Sequence, residues 1–194
     1  MTLRLMIPGP TDVSESVLAV MGEPVRAHYG AKWVALHNET IGMLRRIIGT
    51  TGKIFMVPGS GSAANEAALN SVLRDPVRHT CSEQVPRATG PGRDKVVIGS
   101  NGMFGERLTQ MIEGCRAQPI VVKTDPGQPL SPAAFAEALR RHPDAALTVV
   151  VHLETSTGVL NPVREIAAAS KAVGVPVLVD AVSSLGGTPL PMDE

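Results

Sequence analysis

The chain has 194 residues, with 18 Lys and Arg against 18 Asp and Glu, so its formal net charge is zero. That balance argues against nucleic-acid binding by bulk charge and against a polybasic membrane surface. Hydrophobic residues at 43% and charged residues at 19% exclude disorder, and 3% aromatics leave Ala, Val, Leu, Ile and Met to build the core of one domain or a piece of a larger one.

In chain order, a turn at Pro8-Gly9-Pro10-Thr11-Asp12 leads into a short predicted helix over 13–21. Trp33, Leu36, Ile41, Leu44, Ile47 and Ile48 recur at roughly helical spacing, which predicts a helix over 32–48 ended by Gly49. A short apolar run predicts a strand over 54–57, stopped by Pro58-Gly59, and the Ala-rich stretch 62–73 predicts a helix. From 75 to 93 there is no period, which predicts an irregular surface insertion that a protease nicks first. Regularity returns with a strand over 95–99, a helix over 104–113 closed by Gly114, and a strand over 120–123. Ser131-Pro132 reads as an N-cap with proline at the first helical position, opening a helix to Arg141. A nearly all-apolar strand over 147–152 follows. Asn161-Pro162 repeats the capping device before a helix to Val173 ended by Gly174, and 177–180 reads as a last strand.

Strands that are apolar on both faces and alternate with helices specify an α/β fold: a mostly parallel sheet with helices on both faces. Ligands in such sheets sit at the carboxyl ends of the strands. Four segments lie there. Pro58-Gly59-Ser60-Gly61-Ser62 reads as a phosphate cradle at a helix start or as an ordinary strand-to-helix turn. Phe104, among Gly102 and Gly105, stacks on a flat ligand or caps the core. Thr155, Ser156 and Thr157 bind ligand oxygens or cap a turn, and His152 before them is an acid–base group or a hydrogen-bonded core residue. Asp180 ends a buried strand, where a carboxylate needs a cation or a donor. It is exposed at the sheet edge, or it partners a protonated ring nitrogen. Together the phosphate, the flat ring and the pyridinium nitrogen describe pyridoxal 5′-phosphate.

Cys81 and Cys115 form one bridge or remain two inert thiols, and neither a zinc cluster nor any other metal site is expected. MTLRLMIPGP has no signal-peptide core, and no run approaches the roughly 18–20 apolar residues of a membrane helix, so a cytoplasmic protein is expected.

The segments PGSGSAANEAAL, SNGMFGER, HLETSTGVLNP and VDAVSSLGGTPLPMD, with PGP at Pro8 to Pro10, together resemble the class V aminotransferases of fold type I, near alanine–glyoxylate and serine–pyruvate aminotransferases. The resemblance implies the fold type I large domain, truncated: an N-terminal arm and short helix over 1–30, then an incomplete cofactor domain over 31–194. Ser60, Gly61 and Ser62 match the phosphate turn, Phe104 the ring-stacking aromatic, and Thr155 a hydroxyl near the cofactor ring. Asp180 matches the partner of the pyridine nitrogen, and Val182 the residue on the other ring face. Pro8 to Pro10 and His28 fall in segments that border the substrate entrance in relatives.

The implied activity is transamination between alanine or serine and glyoxylate or pyruvate, by a homodimer. Alternatives are a 2-aminoethylphosphonate–pyruvate transaminase, which shares the ETSTG-type segment, and a non-catalytic fragment; a cysteine desulfurase is disfavoured. One departure stands out. The family's Schiff-base lysine is expected a couple of dozen residues beyond Asp180, and Lys32, Lys53, Lys95, Lys123 and Lys171 all fall outside that motif.

Overall fold

Two runs of β-branched residues, β1 (Lys95–Ser100) and β3 (Leu147–Val151), form the centre of a parallel sheet. Strands apolar on both faces are stable only when both faces are covered, and β3 is buried along its whole length. The structure is a computed structural model describing residues 4–73, 94–190 and 192–193. The predicted insertion at 75–93, with Cys81, lies outside the described residues. The chain divides into two units, Met1–Met56 with Ser183–Glu194, and Val57–Val182.

In the Val57–Val182 unit, β2 (Gln118–Lys123) and β6 (Val177–Asp180) flank the central pair, giving the order β2-β1-β3-β6 with every pairing parallel. Alternation along the strands sorts the two faces. Val96 and Ile98 of β1 and Leu147, Val149 and Val151 of β3 enter one core. That core also holds Leu69 of α3 (Gly61–Leu73) and Leu108 and Ile112 of α4 (Met103–Gly114). On the other face lie α5 (Pro132–Arg141) and α6 (Val163–Lys171). Here Thr148, the one polar residue within β3, meets Ser170 of α6 at 2.7 Å between hydroxyl oxygens, and Ser170 Oγ donates to the carbonyl of Val175 at 2.9 Å. A buried hydroxyl is tolerated because it is paired.

The predicted helices and core strands are found, with boundaries shifted by no more than two residues. The Ser131 cap is found too, its Oγ accepting from Ala134 N at 3.3 Å. Two expectations fail. Residues 54–57 form no strand, because no other strand among the described residues pairs with them, and Phe55 remains 81% exposed. Asn161 does not cap α6; its amide is used elsewhere in the fold. After β3 the chain forms a small antiparallel hairpin, β4 (Leu153–Glu154) with β5 (Val159–Leu160), and the three consecutive hydroxyl residues lie in its turn.

The other unit carries α1 (Glu15–Met21) and α2 (Ala31–Ile48), neither of which buries a residue. Within it Asp193 accepts from Thr50 Oγ1 at 2.5 Å and from Thr51 N at 2.7 Å, and these donors hold its carboxyl below the usual carboxylate range. His28 belongs to this unit, its ring edge-on to Tyr29 at 5.5 Å. Among the described residues no helix is long and apolar enough to cross a membrane.

Candidate functional site

Parallel pairing brings the carboxyl ends of β1, β3 and β6 to one edge of the sheet, and three of the four segments singled out from sequence begin there, while the fourth, at Pro58 to Ser62, leads into α3. Two groups of residues form on it.

The first group joins α3 to the end of β6. Ser60 Oγ accepts from Ala63 N at 3.2 Å, capping α3 and leaving its own hydrogen to donate outward. Gly61 is required by proximity: a Cβ there would overlap the side chain of Val182. Four residues on, and so on the same helix face, Asn65 Nδ2 donates to Asp180 Oδ2 at 2.8 Å. The other carboxylate oxygen, Oδ1, accepts from Val182 N at 3.0 Å. Asp180 is half-buried and each of its oxygens accepts one of these bonds, so each keeps lone-pair capacity for a further donor. Ser60, Gly61, Asp180 and Val182 are thus brought together, with Ser62 half-buried in the first turn of α3. Asn65 was missed by sequence reasoning, although its spacing from Gly61 was available as a signal.

The second group joins α4 to the β4–β5 hairpin. Phe104 is half-buried, packs against the core beneath α4, and carries the Arg107 guanidinium 5.4 Å from its ring centroid. Its backbone N–H and that of Gly105 donate to Glu154 Oε2, each at 3.1 Å. Ser156 Oγ donates to Glu154 Oε1 at 2.5 Å and accepts from Met103 N at 3.0 Å. Thr157 Oγ1 reaches the Glu154 carbonyl at 3.4 Å. Of the three consecutive hydroxyls, then, Ser156 and Thr157 serve the hairpin and α4, while Thr155 is half-buried at the turn between the two strands.

Between the groups lies His152, 5% exposed, whose N–H donates to the carbonyl of Asp180 at 2.9 Å. Burial pushes its imidazole below the usual histidine value, because desolvation disfavours the charged form. Behind them Asn101 and Asn161 form a buried reciprocal amide pair. Asn101 Nδ2 donates to Asn161 Oδ1 at 2.9 Å and to the Gln128 carbonyl at 2.8 Å. Asn161 Nδ2 donates to the Val151 carbonyl at 2.9 Å, and Asn161 Oδ1 also accepts from Leu130 N at 3.0 Å. The pair ties the ends of β1 and β3 to the loop before α5.

Of the lysines in this unit, Lys123 alone stands at the carboxyl edge that carries Asp180, and there β1 and β3 separate its strand from β6. Lys95 starts β1 at the opposite edge and pairs with Asp144 at 2.9 Å, Lys123 ends the outer strand β2, and Lys171 is exposed at the end of α6. His28 and Pro8 to Pro10 belong to the other unit. Cys115 is half-buried on α4's C-cap, its Sγ 3.5 Å from Asn70 Oδ1.

The family model "Aminotransferase class-V" matches residues 9–194. An uncharacterized aminotransferase of Methanocaldococcus jannaschii is 33% identical over 190 residues, covering 98% of this chain and 45% of that protein. A 2-aminoethylphosphonate–pyruvate transaminase of Bacillus mycoides is 27% identical over 197 residues, covering 98% of this chain and 48% of that protein. The crystal structure of an alanine–glyoxylate aminotransferase from Nostoc sp. superposes with a TM-score of 0.82 at 31% identity, over 96% of this chain and 45% of that one. The chain therefore spans about half the length of the relatives it matches.

Proposed function

We propose, because the chain belongs to the class V aminotransferase family, that its Val57–Val182 unit holds pyridoxal 5′-phosphate for transamination. The observation that carries this reading is the double hold on Asp180, by Asn65 and by Val182 N. It keeps a carboxylate at the carboxyl edge of the sheet, beside the start of α3. The donor set fits the cofactor. Ser60, Ser62 and the first amides of α3 bind the phosphate where the helix dipole favours an anion. Gly61, with no room for a Cβ, lets the backbone come close. Asp180 holds a proton at the ring nitrogen, Phe104 and Val182 bound the ring faces, and Thr155 offers a hydroxyl to the ring substituents.

When bound, the cofactor supplies a carbonyl that takes up the substrate amine and a ring that accepts the electron pair released at the α-carbon. Asp180 serves that chemistry by keeping the ring nitrogen protonated, which a neutral amide cannot do as an anion. The 194 residues hold no lysine at the family's position, so the covalent attachment and the α-carbon proton transfer fall outside what this chain's residues do.

The reaction we assign to a polypeptide that includes the lysine is amino transfer from alanine or serine to glyoxylate or pyruvate. The likeness to the Nostoc structure supports this. A homodimer is the assembly expected, since neither α1 nor α2 buries a residue within its own chain.

Titration of the chain with pyridoxal 5′-phosphate, followed by absorbance, tests the cofactor reading. Stoichiometric binding weakened by Asp180→Asn and by Ser60→Ala is expected, and no binding, or binding indifferent to both, overturns it. Borohydride treatment of the bound form should leave no single lysine stoichiometrically labelled. Amino transfer assayed with the lysine-bearing polypeptide decides the donor: preference for 2-aminoethylphosphonate would replace the alanine or serine assignment, and no transfer would favour the non-catalytic reading.

A further inference from the structure

Glu154 is the most completely buried carboxylate among the described residues, at 0% exposure. Burying a carboxylate is costly unless donors replace its water. Among the described residues no cation does so. Oε2 accepts from Phe104 N and Gly105 N, both at 3.1 Å, and Oε1 accepts from Ser156 N at 3.2 Å and Ser156 Oγ at 2.5 Å. Both oxygens accept and all four partners donate, which is the pattern of an ionised group. Three of the four donors are backbone N–H groups, and two of those belong to the first turn of α4, where the helix dipole favours negative charge. Ser156 extends the same network to Met103 N at 3.0 Å. Three successive amides of α4 are therefore satisfied from the hairpin some fifty residues away in sequence. The helix's own N-cap is Gly102, which has no side chain to cap with.

A cap for α4 needs only a serine or aspartate at position 102. The long reach from β4 does something a local cap cannot. Glu154 also anchors its own turn, since its carbonyl accepts from Gly158 N at 2.8 Å and Thr157 N at 3.2 Å. One residue thus fixes the start of α4, which carries Phe104, and the turn that carries Thr155. Proximity is enforced from the other side as well. A Cβ at Gly102 would lie 2.5 Å from both Glu154 Cγ and Ser156 Oγ, so the chain just before Phe104 is pressed against the carboxylate.

We propose that Glu154, relayed through Ser156, is a positioning residue that sets Phe104 against Thr155 and so fixes the seat of the cofactor ring. The assignment rests on the cofactor reading above and adds to it a residue that touches neither ring nor substrate. The phosphate turn at Ser60 to Ser62 makes no hydrogen bond to this network, so the ring seat and the phosphate seat should respond separately to its loss.

That separation supplies the test. The chain, Glu154→Gln and Ser156→Ala are each titrated with pyridoxal 5′-phosphate and, separately, with inorganic phosphate followed by phosphorus NMR. The visible circular dichroism per bound cofactor is recorded well below each variant's unfolding midpoint. Glutamine keeps the volume and one acceptor oxygen but leaves donors facing an NH2 group, so pyridoxal 5′-phosphate affinity should fall about tenfold. The dichroism per bound molecule should shrink, because the ring is no longer held in one orientation. Ser156→Ala should give the same change in smaller measure, and phosphate affinity should stay as in the parent chain in both variants. Equal losses for phosphate and for pyridoxal 5′-phosphate would reduce Glu154 to a general structural role and overturn the proposal. Unchanged affinity and dichroism in Glu154→Gln would overturn it as well, while leaving the cofactor reading intact. Failure of the unmodified chain to bind pyridoxal 5′-phosphate would overturn both.

Discussion

Two carboxylates stand at the same edge of the sheet and are held in opposite ways. Glu154 is fully buried and accepts from four protein donors. Asp180 is half-buried, and each of its oxygens accepts a single bond, from Asn65 and from Val182 N. A carboxylate offers about four acceptor positions. Glu154 has all of them taken by its own fold, whereas Asp180 keeps room for a donor from outside. The contrast separates a residue that builds the site from one that meets a ligand, a distinction that burial alone would obscure.

The largest expected effect falls on Asp180. In a polypeptide carrying the lysine, Asp180→Asn should lower kcat by about 10²–10³-fold, the scale on which lost charge stabilisation is felt. The unfolding midpoint should hardly move, because asparagine can still accept from Val182 N. Unchanged turnover would erase the contrast by making Asp180 a second support residue. Glu154→Ala should show the reverse emphasis. It leaves Phe104 N and Gly105 N buried without acceptors, at about 1–3 kcal/mol each. Urea unfolding should then show a loss of several kcal/mol, and a loss below about 1 kcal/mol would mean that water replaces the carboxylate. Gly61→Ala sits between the two: overlap with Val182 should cost about 1–3 kcal/mol and weaken phosphate binding, read by urea unfolding and phosphate titration on one sample.

The smallest effect is a pH slope. Burial lowers the folded-state value of His152 below its ordinary value of about 6.5. The unfolded chain therefore binds the proton more readily. The stability associated with neutral His152 is fully present above pH ~6.5 and is lost as pH falls through the lowered folded value. Urea midpoints measured downward from pH 7 should decline, and His152→Gln should flatten that decline. A slope that survives the substitution would assign it to other groups.

The sequence told the two carboxylates apart only in part. Asp180 was legible because it ends a strand apolar on both faces, where a charge is conspicuous. Glu154 was not, because a strand of two residues has no period and a cap arriving from fifty residues away leaves no local pattern. The core strands around Val97 and Val149 were legible for the same reason as Asp180. The apolar run at 54–57 misled because apolarity alone does not supply a partner strand, and Phe55 stays exposed. Asn161 before Pro162 has the local pattern of a cap, but a buried acceptor on Asn101 and the carbonyl of Val151 claim its amide instead. Local pattern identifies elements well; it does not reveal which long-range partner a polar side chain will take.

The Asn101–Asn161 pair has a consequence for the ageing of the protein. Asn101 precedes Gly102, and asparagine before glycine is the sequence most prone to deamidation, because the small following residue lets its backbone nitrogen attack the side-chain carbonyl. Here Asn101 is 2% exposed, its Nδ2 is bonded to Gln128 and Asn161, and the chain at Gly102 is wedged against Glu154. The cyclisation needs a rotation that this packing denies. Asn101 should therefore persist in stored folded protein and convert when the edge of the sheet opens, which makes the mass of its tryptic peptide a slow chemical record of how long that edge has spent unfolded.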